Sequence, residues 1–260
     1  IEKITGFSKT QRLINKEIAL SIVQQQQLQN FSEQLLQSKP VQYVLQEAWF
    51  AGMNFFVDEN VLIPRPETEE LVEYIIHDLQ FPVHDLQLTI LDIGTGSGCI
   101  AIALKKKLLL SNVFALDISE KSIQIAEKNA EKNNVSVSFF QADILNPDPK
   151  INFPVFDIIV SNPPYIKKTE ANGMSPNVLH YEPHIALFVS DSDPLIFYKT
   201  IADFALTHLN NEGELFFEIN EMMSKQITGL LKDKGFSEIV IKKDFQEKDR
   251  IASAVLRKMK

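Results

Sequence analysis

The sequence predicts an α/β protein with a seven-stranded, mostly parallel sheet that contains one antiparallel strand, preceded by a small N-terminal helical domain. After residue 87, short apolar runs alternate with amphipathic stretches, which is typical of parallel strands connected by helices. The last two apolar runs are separated by residues 244–250 alone, a connection so short that the two strands pair antiparallel.

The first 40 residues are predicted to form the helical domain. Apolar residues recur at every fourth position from Ile14 to Ile22, with polar residues between them, as on one face of a helix. After Gly6, neither glycine nor proline occurs before Pro40, which we expect to close the domain. The glutamines of this region indicate a solvated helix face.

Residues 41–63 are predicted to form a β-hairpin linker. The segment is rich in aromatic and β-branched residues, has Gly52 at its middle, and carries a polar turn over Asp58, Glu59 and Asn60. These features are typical of two short strands joined by a turn, or of an extended connection.

The main domain is predicted to span residues 64–260 and to begin with a helix from Pro66 to about His77. Proline suits the first helical position, and the acidic residues that follow suit the positive end of the helix dipole. Strands are expected at residues 88–93, 112–117, 135–141, 156–161, 214–219, 238–243 and 251–256. The connecting helices are expected at residues 97–109, 119–133, 194–209 and 221–234.

Composition excludes several classes of protein. The chain has 260 residues, 45% of them hydrophobic, so it can bury a sizeable core and is not wholly disordered. Its one cysteine, Cys99, excludes a disulfide framework, and five unclustered histidines give no support for a metal site. No apolar run is long enough to span a membrane, and no signal peptide is visible. We therefore expect a cytoplasmic protein, whose opening on Ile1 is consistent with a native start further upstream.

Charge is distributed unevenly along the chain. The net charge is −8, of which residues 1–40 carry +2 and residues 41–260 carry −10. Non-specific binding to nucleic acid needs clustered lysine and arginine. The acidic main domain therefore argues against a nucleic-acid partner.

A glycine-rich loop lies between the first predicted strand of the main domain and its helix. The segment 91–98, LDIGTGSG, allows a sharp turn and a close approach of a ligand to the backbone. Asp117 ends the next strand, where an acid accepts hydrogen bonds from ribose hydroxyls, and Asp143 ends the third strand, near an adenine edge. Dinucleotide sites usually have the spacing G-x-G-x-x-G, whereas this loop has G-x-G-x-G preceded by Asp92.

Asp92 also bears on the choice of ligand. An acidic loop repels a pyrophosphate and suits the cationic S-adenosylmethionine. We therefore favour S-adenosylmethionine over a nicotinamide dinucleotide, with a turn that binds no ligand as the remaining alternative.

A second motif, Asn162-Pro163-Pro164-Tyr165, follows the fourth predicted strand and so faces the same crevice. The prolines fix the backbone and remove two amide donors, which leaves the Asn162 side-chain oxygen and prolyl carbonyls as acceptors. Such an array suits a planar NH₂ group, whose lone pair it would aim at a methyl donor. The alternative is a rigid proline turn without a catalytic role.

Taken together, these motifs resemble those of the HemK-type peptide chain release factor glutamine methyltransferases. Two further stretches carry the resemblance, residues 61–69 (VLIPRPETE) and Tyr181-Glu182-Pro183 with Ala186-Leu187. The resemblance covers about residues 40–256. It implies a Rossmann-like S-adenosylmethionine methyltransferase sheet behind an N-terminal substrate-recognition domain. It also implies methylation of the glutamine amide in the Gly-Gly-Gln loop of release factors during translation termination.

The resemblance also assigns roles to individual residues. It implies that the cofactor is bound by Asp92, Gly94, Thr95, Gly96, Ser97, Gly98, Asp117, Asp143, Ile144 and Asn162. It implies that the glutamine amide is gripped by Asn162, Pro163, Pro164 and Tyr165, with Arg65 and Glu67 as further candidates or as an ordinary helix start. Glu182 is a candidate for ordering the loop after Tyr165. The sequence departs from the family pattern at Phe188-Val189-Ser190 and at Glu247, where glycines are usual.

Two other functions compete with this interpretation. The same asparagine and prolines suit an adenine amine, so a DNA or RNA adenine amino-methyltransferase that flips its base is the main alternative. A cofactor-binding module without catalysis is the second. The acidic main domain disfavours the first alternative, and the intact motifs disfavour the second.

Overall fold

The computed structural model describes residues 1–79, 87–148 and 150–258. Its helices are α1 (Glu2–Thr5), α2 (Lys9–Ile14), α3 (Ile22–Leu36), α4 (Val41–Leu45), α5 (Pro66–Asp78), α6 (Cys99–Lys107), α7 (Glu120–Lys132), α8 (Pro176–Tyr181), α9 (His184–Leu187), α10 (Ile196–His208) and α11 (Ser224–Asp233). Its strands are β1 (Ala48–Phe50), β2 (Met53–Phe55), β3 (Thr89–Ile93), β4 (Asn112–Asp117), β5 (Ser138–Gln141), β6 (Phe156–Ser161), β7 (Ile166–Lys167), β8 (Phe188–Val189), β9 (Leu209–Glu218), β10 (Phe236–Lys243) and β11 (Asp249–Leu256).

The main sheet has seven strands in the order β10-β11-β9-β6-β3-β4-β5. Strand β11 runs antiparallel to both of its neighbours, and the pairings from β9 to β5 are parallel. The predicted architecture is therefore confirmed. Because chain order reverses between β3 and β6, the carboxyl ends of these strands open a crevice suited to a ligand.

Successive residues of the central strands point to opposite faces of the sheet, and helices cover both faces. Leu215 and Phe217 of β9 pack in one core with α10 and α11, whereas Phe216 packs in the other with α5 and α6. Burial on both faces explains why these strands are continuous apolar runs. It also fixes the register in which the strand ends meet.

The N-terminal region is helical, as predicted, but it consists of three separate helices, α1 to α3. Ser8 and Ser21 each accept a hydrogen bond from the backbone at the start of the following helix, so the breaks have defined caps. Helix α3 has no fully buried residue. In the described residues, no helix is long and apolar enough to cross a membrane.

The linker differs from its prediction at its start. Residues 41–45 form helix α4 where an extended segment was expected, and the β-hairpin begins only at Ala48. Tertiary packing explains the difference, because Tyr43 is buried and its hydroxyl donates to the Val61 carbonyl at 2.7 Å. The hairpin itself is confirmed, and Ala51 and Gly52 both have the positive φ that a tight hairpin turn needs.

The remaining differences lie mostly at element ends. Strand β9 begins five residues before its predicted start, and α6 begins two residues after. Between β6 and α10 the structure adds elements that the sequence did not predict: α8, α9 and the short parallel pair β7–β8. This segment lies over the crevice, because Pro183, Ile185 and Ala186 line a cavity that opens within the crevice.

Candidate functional site

The glycine loop, residues 94–98, turns sharply from β3 into α6. Gly94, Gly96 and Gly98 have φ values of 76°, 54° and 82°, a region that disfavours other residues. A Cβ on Gly98 would lie 2.9 Å from Ile102 Cδ1 and 3.1 Å from Ala126 Cβ, whereas a Cβ on Gly94 or Gly96 would meet nothing within 4 Å. Gly98 therefore allows α6 to pack closely on α7, and the other two glycines leave open space beside the loop.

Asp92 lies beneath the glycine loop and is fully buried. Its Oδ2 accepts hydrogen bonds from Thr95 Oγ1 at 2.6 Å and from the Ala101 amide at 3.2 Å, so the carboxyl group braces the loop from behind. Its Oδ1 has no hydrogen-bond partner among the described residues. Burial raises the pKa of Asp92 to about 7, although the hydrogen bonds from Thr95 and Ala101 oppose the shift.

Asp117 connects the end of β4 to the glycine loop. Its Oδ2 accepts from the Gly96 amide and its Oδ1 from the Ser119 amide, each at 2.9 Å. Burial raises the pKa of Asp117, while these backbone hydrogen bonds hold it down. The carboxyl group is thus fixed at the edge of the crevice.

A cavity of about 240 Å³ opens beside this loop. Of the predicted cofactor residues, it is lined by Gly94, Gly96, Asp117, Asp143, Ile144 and Asn162. Asp92, Thr95, Ser97 and Gly98 are not among its lining residues. The structure therefore brings six of the ten predicted residues to one cavity. Asp92, beneath the loop, and three residues of the loop itself do not line it.

A second cavity, of about 220 Å³, lies on the other side of Asn162. Both cavities are lined by Leu62, Asn162, Pro163 and Ala186. The second cavity is also lined by Tyr165 and Arg65. Asn162 and Pro163 therefore form the boundary between two spaces, the arrangement that a transfer between two bound groups requires.

A buried carboxylate, Glu218 at the end of β9, organises the Asn162 side of the second cavity. Glu218 Oε2 accepts from Thr68 Oγ1 at 2.6 Å, and its Oε1 accepts from the Tyr165 hydroxyl at 3.3 Å. Asn162 Nδ2 in turn donates to Thr68 Oγ1 at 3.1 Å. Burial raises the pKa of Glu218, and the Thr68 hydrogen bond and the Arg250 charge lower it.

Arg65 and Glu67 have different positions. Arg65 donates to Glu182 Oε1 at 2.5 Å, and Glu182 Oε2 accepts from the Ile63 amide at 3.3 Å. Glu182 is almost completely buried, so this pair fastens the segment before α5 to the end of α8. Glu67 lies in the first turn of α5 and lines neither cavity.

Sequence reasoning missed Thr68 and Glu218, and it missed Asn129, which is fully buried on α7. Glu218 had a visible signal, because it is an acid within the apolar run 215–219 at the carboxyl end of a predicted parallel strand. Thr68 and Asn129 had none, since each makes its contacts with residues far away in the sequence. Cys99 is buried at the start of α6, as expected, and burial raises the pKa of its thiol to about 12.

Relatives of known name cover almost the whole chain. The chain is 44% identical over 252 residues to the release factor glutamine methyltransferase of Flavobacterium psychrophilum. This alignment covers 96% of this chain and 87% of that protein. It is 43% identical over 241 residues to the release factor glutamine methyltransferase of Bacteroides thetaiotaomicron, covering 93% of this chain and 84% of that protein.

The chain belongs to the release factor glutamine methyltransferase family. Within it, residues 73–180 also match the model of the methyltransferase small domain. Among solved structures, the fold resembles the 16S rRNA N2 G1207 methyltransferase of T. thermophilus, solved with AdoMet and guanosine, with a TM-score of 0.58 and 18% identity. That match covers 81% of this chain and 50% of the other. The predicted family and fold are therefore confirmed, and this member of the family is a methyltransferase.

Proposed function

We propose that this methyltransferase transfers a methyl group from S-adenosylmethionine to the side-chain amide nitrogen of the glutamine in the Gly-Gly-Gln loop of peptide chain release factors. The observation that carries the proposal is the position of Asn162 between two cavities, one beside the glycine loop and one beside Tyr165. The names of the relatives supply the substrate class, because both are release factor glutamine methyltransferases.

The first cavity suits S-adenosylmethionine chemically. Gly94 and Gly96 line it and leave the space that a Cβ would otherwise fill, so a ligand can reach the loop backbone. Asp117 presents a fixed carboxylate for ribose hydroxyls, and Ile144 presents an apolar surface for a base. When bound, S-adenosylmethionine supplies a methyl group on a positively charged sulfur. The buried carboxyl group of Asp92 beneath the loop favours such a cation.

The second cavity suits a primary amide. An amide nitrogen is a poor nucleophile because its lone pair is delocalised into the carbonyl group. Asn162 Oδ1 and the Pro163 carbonyl group would accept the two N–H bonds and aim the lone pair towards the first cavity, which Pro164 lines from the other side of the motif. Tyr165, whose hydroxyl is held by Glu218, would close the cavity against the glutamine side chain.

These acceptors around the glutamine amide, the amide grip, also stabilise the positive charge that develops on its nitrogen. As the nitrogen–carbon bond forms and the carbon–sulfur bond breaks, the nitrogen becomes positive and its N–H bonds become stronger donors. Acceptors already in place strengthen with this charge without reorganisation. The nitrogen then releases a proton, so no strong base is needed before the attack.

Net charge disfavours the nucleic-acid alternative. Residues 41–260 carry −10, and the second cavity is lined by one acid, Glu218, and one base, Arg65. Arg65 is already paired with the buried Glu182. A nucleic-acid substrate would require clustered cations along its phosphates, whereas this domain has a net excess of acids.

A transfer assay tests the proposal. The protein is incubated with methyl-labelled S-adenosylmethionine and, separately, with a release factor, the same factor with its loop glutamine replaced by alanine, and single-stranded DNA and RNA. Label on the intact factor alone is expected. Label on nucleic acid, or equal label on the glutamine-to-alanine factor, would refute the substrate assignment.

The variant Asn162→Ala tests the amide grip within the same assay. We expect transfer to fall by about two orders of magnitude or more, since one oriented acceptor is lost, while cofactor affinity changes only modestly. Asn146→Ala, an exposed asparagine in the loop after β5, is the matched control and is expected to keep full activity. Equal turnover in both variants would remove Asn162 from the reaction.

A further inference from the structure

The orientation of the Asn162 amide is decided by groups that lie outside the Asn162–Tyr165 motif. Thr68, on the first turn of α5, stands between Asn162 and Glu218 and is almost completely buried. Its oxygen is 2.6 Å from Glu218 Oε2 and 3.1 Å from Asn162 Nδ2. Three elements therefore meet at one hydroxyl group: α5, the end of β6 and the end of β9.

A hydroxyl group has one proton, so the direction of each hydrogen bond follows from its neighbours. An ionised carboxylate can only accept, so when Glu218 is ionised its short contact takes the Thr68 proton. The Thr68 oxygen is then left as an acceptor, and only the NH₂ end of Asn162 can pair with it. A flipped Asn162 would place two acceptor oxygens against each other.

In this arrangement Asn162 Nδ2 contacts Thr68 and Asn162 Oδ1 does not. None of the described residues donates a hydrogen bond to Oδ1, and Asn162 lines both cavities. Burial alone would favour the neutral form of Glu218 and raises its pKa, whereas the nearby guanidinium of Arg250 favours the charged form. Arg250 is itself held by Asp244 and by the Ile219 carbonyl, so its charge is fixed in place.

We propose that Thr68 and Glu218 are positioning residues that hold the Asn162 amide with Oδ1 towards the methyl-accepting group. Glu218 fixes the Thr68 proton, and Thr68 fixes the Asn162 NH₂ group. The inference rests on the proposed function, because it explains how the amide grip is kept in its working orientation. It adds two residues from separate elements to the site. Neither needs to touch the cofactor.

The hydrogen bonds that run from Glu218 through Thr68 to Asn162 form a relay. The variants Thr68→Val and Thr68→Ser test it. Valine has nearly the shape of threonine but no hydroxyl group, so the amide loses its orienting partner. We expect kcat for release-factor methylation to fall at least about tenfold, since misplacing a reacting group has effects of this size or larger. The cofactor Kd is expected to stay within about twofold, and Thr68→Ser, which keeps the hydroxyl, should recover most of kcat.

A second variant and a remote control separate positioning from folding. Glu218→Gln keeps the shape of the side chain but lets the amide either donate to or accept from Thr68, so kcat should fall as well. Thr228→Val, on α11 and outside both cavities, repeats the threonine-to-valine change and should leave kcat unchanged. Circular dichroism and cofactor titration confirm that each variant is folded.

The outcomes divide clearly. Loss of kcat in Thr68→Val with recovery in Thr68→Ser, at unchanged cofactor Kd, supports the relay. Wild-type kcat in either Thr68→Val or Glu218→Gln overturns it. If Thr68→Val does not fold, Glu218→Gln alone decides. Failure of the wild-type protein to methylate any release factor overturns the proposed function instead.

Discussion

Asn129 connects two parts of the molecule that the site depends on, and its replacement by alanine gives a quantitative test of the structure. Its side chain accepts from the Phe56 amide at 2.7 Å and donates to the Phe56 carbonyl at 2.9 Å. It also donates to the Ser97 carbonyl in the glycine loop at 2.9 Å. One side chain therefore fastens both the linker and the glycine loop to α7.

The magnitude follows from these three hydrogen bonds. Each contributes about 0.5–1.5 kcal/mol net, and the partners left behind are largely shielded from water. Alanine is the better helix former and returns up to about 0.7 kcal/mol. We therefore expect Asn129→Ala to lower the free energy of unfolding by about 2–4 kcal/mol. For a chain of this size that corresponds to a fall in Tm of roughly 5–15 °C.

Urea unfolding followed by circular dichroism measures this change directly, and calorimetric titration with S-adenosylmethionine measures its effect on the loop. Gln124→Ala is the matched control, because Gln124 is an exposed amide on the same helix with one long hydrogen bond to Glu120. The control is expected to change stability by less than about 0.5 kcal/mol. A loss below 1 kcal/mol in Asn129→Ala would refute the role assigned to Asn129.

Three further predictions concern the glycine loop and two acids whose pKa burial raises. Gly98→Ala should lower stability by about 1–3 kcal/mol in urea unfolding, because its Cβ would press on Ala126 at a left-handed φ; an unchanged midpoint would contradict the close packing. Burial and the neighbouring Asp78 raise the pKa of Glu214 to about 7, so its stabilising contribution is complete below about pH 4.5 and is lost as pH rises through 7. Glu214→Gln should therefore flatten the fall in stability between pH 5 and 8, and an identical pH dependence would exclude this carboxyl group. Asp92→Asn removes a carboxyl group whose ionisation burial disfavours, so it should raise stability at pH 8 while weakening binding of the cationic cofactor in calorimetric titration; equal affinity would show that the charge plays no part.

Most of the architecture could be predicted because buried strands and helices have recognisable patterns of apolar residues in the sequence. Strands β4 and β6 lie at the predicted residues, since both are buried on two faces and read as continuous apolar runs. Helix α4 was not predicted, because its aromatic and β-branched residues favour a strand locally. Burial of Tyr43 and its bond to Val61 override that preference.

The site shows the same division between local and distant causes. Gly94 and Gly96 could be predicted as loop residues because their conformations are local requirements. The position of Asp92 could not be predicted, because an acid before a glycine loop can either face the ligand or brace the loop. The sequence does not distinguish these two positions. The hydrogen bonds to Thr95 and Ala101 decide for the brace.

The departure from the family pattern at Glu247 has a physical consequence. The turn between β10 and β11 gives this residue a φ of 62°, the left-handed conformation that glycine adopts at no steric cost. The turn closes all the same, because Asp244 Oδ1 accepts from the backbone amides of Gln246 and Lys248. The Asp244 carboxylate thus stabilises a turn at which the family usually has a glycine.

The same turn bears on the acceptor site through Arg250. Asp244 and the Ile219 carbonyl fix its guanidinium group, and that charge favours the ionised form of Glu218. Glu218 can hold the Thr68 proton in one direction only while it is ionised. The proline motif alone therefore does not define the amide grip, since the orientation of Asn162 depends on contacts from α5, β9 and the β10–β11 turn. Such dependence on distant segments explains why the motif could be recognised from the sequence whereas its working geometry could not.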